Sequence, residues 1–251
     1  MKVERIELDG RDGPPRPAWS VAPEGDPRAG AAIFHGYGSS RDALLGLALT
    51  LAGGGFACVL PDLPGHGEHP ELLGPVLLDD ARRAVEHARR HGAVLAVGHS
   101  LGGRLALLSE ADAVVAISPA LPAQASPEGM YALQTFATPR VRQAYPGEVM
   151  DILRGLPPHA VSGSPVLLVI GEGDIPSIVE AVEELAASLD SARVVKISRG
   201  MLLEVDDPPP SFLSYIKHWV NHGGLHGNPD VKATVAAWAD EVAGNVRVEG
   251  R

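Results

Sequence analysis

The stretch Val97 to Leu105, VGHSLGGRL, constrains this chain more than any other. Gly98-His99-Ser100-Leu101-Gly102 fits G-x-S-x-G; a β-like apolar run (Ala93 to Val97) leads in and a helix-like run (Leu101 to Glu110) leads out. A strand that turns abruptly into a helix strains the residue at the corner and leaves room only for small neighbours, here Gly98, Gly102 and Gly103. Such a corner lifts the serine oxygen above the sheet edge. The helix behind it aims unpaired N–H groups and a positive dipole end at any negative charge that develops there. Ser100 is therefore the candidate nucleophile, against the plainer reading of a Gly-rich connection with an ordinary serine.

Around this corner the pattern alternates. Residues 3–8 read as a half-exposed strand and 17–23 as its antiparallel partner across GRDGPPR. Apolar runs follow at 29–34, 56–60, 93–97, 113–117 and 166–170, with a last strand at 193–197. Helical spacing at 42–52, 77–91, 101–110, 177–189 and 211–221 separates them, the last of these closing the repeat. Strands and helices in this order predict an α/β fold, a mostly parallel sheet with helices on both faces and ligands at the carboxyl ends of the strands. His35 to Tyr37, Asp62, Ser100 and Asp174 all fall at such ends.

At 251 residues and 45% hydrophobic content the chain can bury one sizeable core. The net charge of −10 offers no basic patch, so no nucleic-acid partner is expected. Cys58 is the only cysteine, which rules out a disulfide framework and points to a reducing, cytoplasmic setting. No run reaches the roughly 18 apolar residues of a spanning helix, and no membrane association is expected. Neither a Gly-rich phosphate loop nor a dinucleotide fingerprint is present, so no cofactor is expected.

With these residues in view, the chain resembles the α/β-hydrolase superfamily over about residues 25–222. HGYGSS (35–40), DLPGHG (62–67), GHSLGG (98–103) and GEGD (171–174) carry the resemblance. It implies Ser100 as nucleophile, the backbone N–H groups of Tyr37 and Leu101 as oxyanion hole, and Asp174 as the acid that orients a base. It also implies structural roles for His35, His66 and His99. A serine hydroxyl needs an imidazole to take its proton and donors already in place for the oxyanion, so the chemistry agrees.

The superfamily order ends with a histidine just after the last strand, and there this chain reads Gly200-Met201. A thioether is no general base. Three explanations stand: a displaced base, drawn from His159, His218, His222 or His226; a silent relative that binds a ligand or partner without turnover; or a chemistry needing only the elbow and oxyanion hole. The first makes the chain a serine hydrolase acting on a small-molecule ester or thioester through an acyl-enzyme.

Residues 120–163 interrupt the alternation and read as a short helical lid with Met130, Tyr131, Leu133, Phe136, Met150, Ile152 and Leu153 for its underside. An apolar lid favours acyl or aromatic substrates. His218 and His222 share a helical face, but no carboxylate joins them at a known spacing, and no metal site is expected. Residues 1–222 thus form the expected domain. Residues 223–251 form an added extension, with an amphipathic helix at 230–242 and a β-like end, NVRVEG; Trp238 on its apolar face suggests a homodimer contact, against the plainer reading that the helix packs on its own domain and covers apolar surface there.

Overall fold

In the computed structural model, which describes residues 1–8, 14–74, 76–121, 124–158, 163–199, 202–204 and 212–249, eight strands form one sheet. They are β1 (Lys2–Leu8), β2 (Arg16–Ala22), β3 (Ala29–Phe34), β4 (Phe56–Pro61), β5 (Val94–His99), β6 (Ala113–Ile117), β7 (Val166–Gly171) and β8 (Ala192–Ile197). Their order is β1-β2-β4-β3-β5-β6-β7-β8, antiparallel for the first three and parallel from β4 onward. The continuous apolar runs β3 to β7 are buried along their whole length, as strands covered on both faces must be, while β1 and β8 are the exposed edges. The turn expected at residues 10–16 lies partly outside the described residues.

Alternation along each strand divides the core between two faces. Ala32, Phe34, Ala96, Ala116 and Leu168 pack with α2 (Leu77–Ala88), α3 (Leu101–Ala106) and α6 (Pro176–Ala187). Ala31, Ile33, Val97, Val115 and Val169 pack with α1 (Leu45–Gly53) and the last helix, α8 (Pro229–Glu249). Between β6 and β7 the lid is built from α4 (Pro127–Ala132), a π-helical turn (Leu133–Ala137), a 3-10 turn (Thr138–Arg140) and α5 (Glu148–Gly155). Among the described residues no helix is long and apolar enough to cross a membrane.

The C-terminal helix follows the plainer of its two readings and packs on its own domain. Asn228 caps α8, its side-chain oxygen accepting the N–H of Asp230, with Pro229 at the first helical position. Val231, Val235, Trp238, Ala239 and Val242 then face Leu44, Leu47, Ala48 and Leu51, and Trp238 keeps only 6% of its surface. Burying each large side chain in that row contributes about 1.5–3 kcal/mol, so residues 223–249 belong to the domain rather than extend it. The apolar face that suggested a homodimer is covered within one chain. The β-like end is instead helical at residues 245–249, since α8 runs through Glu249. The helix read as closing the repeat, α7 (Phe212–Gly224), instead crosses to the lid, where it meets α4.

Candidate active site

Ser100 occupies the corner between β5 and α3 with φ +54° and ψ −117°. Its N–H donates to Ile117 O at 2.9 Å, and its carbonyl accepts from the N–H groups of Arg104 and Ala120. Close approach explains the glycines: a Cβ on Gly98 would stand 2.0 Å from Gly102 O, and one on Gly102 would stand 2.1 Å from Phe34 O. Pairing of Phe34 with Gly98 brings the loop after β3 alongside, so that a Cβ on Gly36 would lie 3.2 Å from Ser100 Cβ. Tyr37 and Leu101 both line the cavity at Ser100. Leu101 opens α3, where an N–H has no acceptor inside its own helix.

Two buried imidazoles brace that loop. Gly38 N–H donates to His66 Nε2 at 2.9 Å while His66 Nδ1–H donates to Pro64 O. Leu63 N–H donates to His35 Nε2 at 3.0 Å while His35 Nδ1–H donates to Gly36 O. One donor and one acceptor on each ring describe a neutral imidazole. Burial first, and neighbouring positive charge after it, pushes His35 down to about 3; burial also lowers His66.

This sets a pH dependence. Native His35 stays neutral until about pH 3, whereas the unfolded chain binds that proton from about pH 6.5 downward, so unfolding takes up a proton and stability falls as pH drops through this window. Urea midpoints from pH 7 to 5 should show wild type losing about 1.4 kcal/mol per pH unit more than His35→Gln once the unfolded imidazole is charged. Parallel slopes would contradict it.

The imidazole that reaches Ser100 belongs to His222, near the end of α7. Its Nε2 lies 2.9 Å from Ser100 Oγ and its Nδ1 lies 2.9 Å from Asp174 Oδ1. With Nδ1–H donated to the carboxylate, Nε2 presents its lone pair to the Ser100 hydroxyl. Asp174, 1% exposed, also accepts the Ile175 N–H on Oδ1 and the Ser118 hydroxyl on Oδ2. Burial pushes its carboxyl up, but His222, Ser118 and Ile175 together outweigh burial and hold it below the usual carboxylate range.

Polar anchors fix the end of α7. His99 Nε2–H donates to His222 O at 2.9 Å. Buried Asn221 accepts the Leu203 N–H and donates to Leu203 O, both at 2.8 Å, and donates to Gly173 O at 3.3 Å. His99 thus holds the backbone of His222; burial, then the His226 and His222 rings, carries its pKa well below the ordinary value.

Of the three displaced-base candidates among the described residues, the geometry brings His222 to Ser100 and Asp174. His218 turns its Nδ1 to Gly173 O at 3.1 Å, so the pair four apart does not converge on one ion. His226 lines the cavity with its ring against His99, centroids 4.8 Å apart. His159 and Met201 lie outside the described residues. A cluster not singled out from the sequence, His69, Glu71 and Asp80, has metal-ligand proximity, but the Arg16 guanidinium bonds both carboxylates and already supplies the positive charge.

The cavity over Ser100 holds about 550 Å³, within the usual range for small-molecule sites. Leu133, Phe136, Met150 and Leu153 of the lid line it as expected, and α7 adds Tyr215 and Trp219, which the sequence reading did not assign to the site. Met130 and Ile152 pack on the core instead, and Tyr131 is half exposed against Phe212.

No curated protein matches the chain. Among solved structures it is similar to a dienelactone hydrolase from Anabaena variabilis (21% identity, TM-score 0.58, covering 96% of this chain and 95% of that one). It is also similar to the thioesterase domain from the curacin biosynthetic pathway (19%, 0.63, 95% and 99%) and to an esterase from the archaeon Pyrobaculum calidifontis (19%, 0.60, 94% and 86%). At these identities the likeness speaks for the fold. A family model, described as alpha/beta hydrolase family, matches residues 32–250, which take in the elbow, the acid loop, the imidazole on α7 and the helix α8. By that match, over most of its length, the chain belongs to the alpha/beta hydrolase family.

Proposed function

We propose that the chain is a serine hydrolase that cleaves a carboxylic ester or thioester with an apolar acyl group. The observation that carries this is the continuous hydrogen-bond path from Ser100 Oγ through His222 to Asp174. His222 Nε2 takes the hydroxyl proton as Ser100 Oγ attacks the carbonyl carbon, and the carbonyl oxygen becomes an oxyanion received by the N–H groups of Tyr37 and Leu101. Asp174 stabilises the imidazolium. When the tetrahedral intermediate collapses, the bond to the leaving oxygen or sulfur breaks and His222 returns the proton to it. Water then attacks the acyl-Ser100 ester with His222 again as base, releasing the carboxylic acid and restoring the hydroxyl.

Leu133, Met150, Leu153 and Trp219 suit an aliphatic or aromatic acyl group better than a sugar. Treatment with a fluorophosphonate, followed by intact mass, tests the reading. Wild type is expected to gain one adduct within minutes and Ser100→Ala none. A folded wild type that stays unmodified would leave a silent binding protein on the same fold.

A further inference from the structure

The cavity lining is of two kinds. α4, α5 and α7 line it largely with apolar side chains, whereas the loop after β3 and the turns near it contribute Ser39, Ser40, Gly67 and Arg140. Among the described residues that line it, no aspartate, glutamate or lysine occurs, so Arg140 supplies its one fixed charge. In a chain of net charge −10 a lone cation at that place is unexpected. Arg140 is exposed, and no carboxylate among the described residues pairs with it.

The backbone that carries Arg140 is held on both sides. A Cβ on Gly38 would sit 2.7 Å from Ala137 Cα, and the Tyr37 hydroxyl donates to Thr138 Oγ1 at 3.2 Å, so the preceding turn is seated on the oxyanion loop. On the other side Arg142 N–H donates to Gly65 O at 2.8 Å, and the Arg142 guanidinium donates to Gly67 O, also at 2.8 Å. Ser40 lines the cavity and precedes a 3-10 turn without a side-chain capping bond. Glu148 approaches Tyr37 closely enough to raise the phenol pKa, after burial, but does not line the cavity.

We propose that Arg140, with the Ser39 and Ser40 hydroxyls, forms a subsite for an anionic group, carboxylate or phosphate, on the leaving group. The inference rests on the hydrolase reading above. With the acyl group against the apolar side chains, the other half of the ester extends to this subsite, and the preferred substrates are apolar acyl esters or thioesters of an anionic alcohol or thiol.

Two thioesters that differ only in charge test it: the hexanoyl thioester of 3-mercaptopropionate and that of 3-mercaptopropanamide, followed by thiol release. For wild type the anionic thioester is expected to have a kcat/KM about two- to fivefold higher, the scale of one exposed ion pair. That ratio should shrink as salt is raised, because the charges are screened. Arg140→Gln is expected to bring the ratio to about one and Arg140→Lys to keep most of it. Because the readout is a ratio, a general loss of activity in either variant does not mimic the result. Equal kcat/KM for the two thioesters in wild type, or a preference that survives Arg140→Gln, overturns the subsite alone. Cleavage of neither by wild type overturns the hydrolase reading beneath it.

Discussion

His222→Gln is expected to lower kcat by about 10⁴-fold or more while leaving the fold and KM nearly unchanged, because a neutral amide can hold the hydrogen bonds but cannot accept the proton. The imidazole is tied at both nitrogens, 2.9 Å from Ser100 Oγ and 2.9 Å from Asp174 Oδ1, so no neighbouring group inherits its role. Fluorophosphonate labelling should slow in parallel, since it needs the same activated oxygen. Asp174→Asn should approach the same loss by a different route, favouring the imidazole tautomer that turns an N–H toward the serine. His218→Gln is the control: it removes the hydrogen bond to Gly173 O and should lower kcat by less than about tenfold, as loss of one half-buried hydrogen bond does. Steady-state kinetics on a hexanoyl ester separate these outcomes. A His222→Gln enzyme that keeps more than about a tenth of wild-type kcat would show that the proton goes elsewhere.

The imidazole beside Ser100 was a part of the site whose position the sequence concealed, and the reason lies in chain length. After β8 the superfamily places its histidine at once, but in this chain 24 further residues, 198–221, separate β8 from His222, which stands near the end of α7. Helical spacing at 211–221 was legible, but spacing does not say whether a helix flanks a sheet or crosses its ends. The order Ser100, Asp174, His222 was available as a signal, since chain order survives an insertion when distance does not. By contrast Ser100, Gly98 and Gly102 were legible because their constraint is local: only a sharp strand-to-helix corner demands those residue types together. The central strands were legible for a similar reason, as continuous apolar runs of five or six residues have few other uses. Trp238 shows the opposite case. An amphipathic helix announces that one face is buried, not whether its cover is the same chain or another, and here the cover is α1.

Gly102→Ala and Gly103→Ala, one residue apart in α3, are expected to differ sharply. Helix propensity favours alanine at both by about 1 kcal/mol, so propensity alone would stabilise each variant. Space reverses this at Gly102. Its added Cβ would stand 2.1 Å from Phe34 O and 2.6 Å from His35 O, backbone atoms of β3 and its end that lie in the buried middle of the sheet. Neither can swing aside as a side-chain tip could, so α3 must back away by about 1 Å, with an overpacking cost near the upper end of the usual 1–3 kcal/mol. For a domain of this size that corresponds to a fall in Tm of about 6–12 °C. The same displacement carries Leu101 N–H and the Ser100 corner away from His222, and a misplacement of about 1 Å can lower kcat by about 10²-fold even in the molecules that remain folded. At Gly103 the nearest atoms, Gly98 O and Pro119 Cα, are 3.1 Å away, a contact that a shift of a few tenths of an ångström relieves. Gly103→Ala should therefore stay within about 1 kcal/mol of wild type and keep most of its activity. Thermal unfolding and kcat measured on the same samples decide the matter. A Gly102→Ala protein with wild-type Tm and kcat would mean that α3 does not rest on the β3 backbone as the glycine at that position requires.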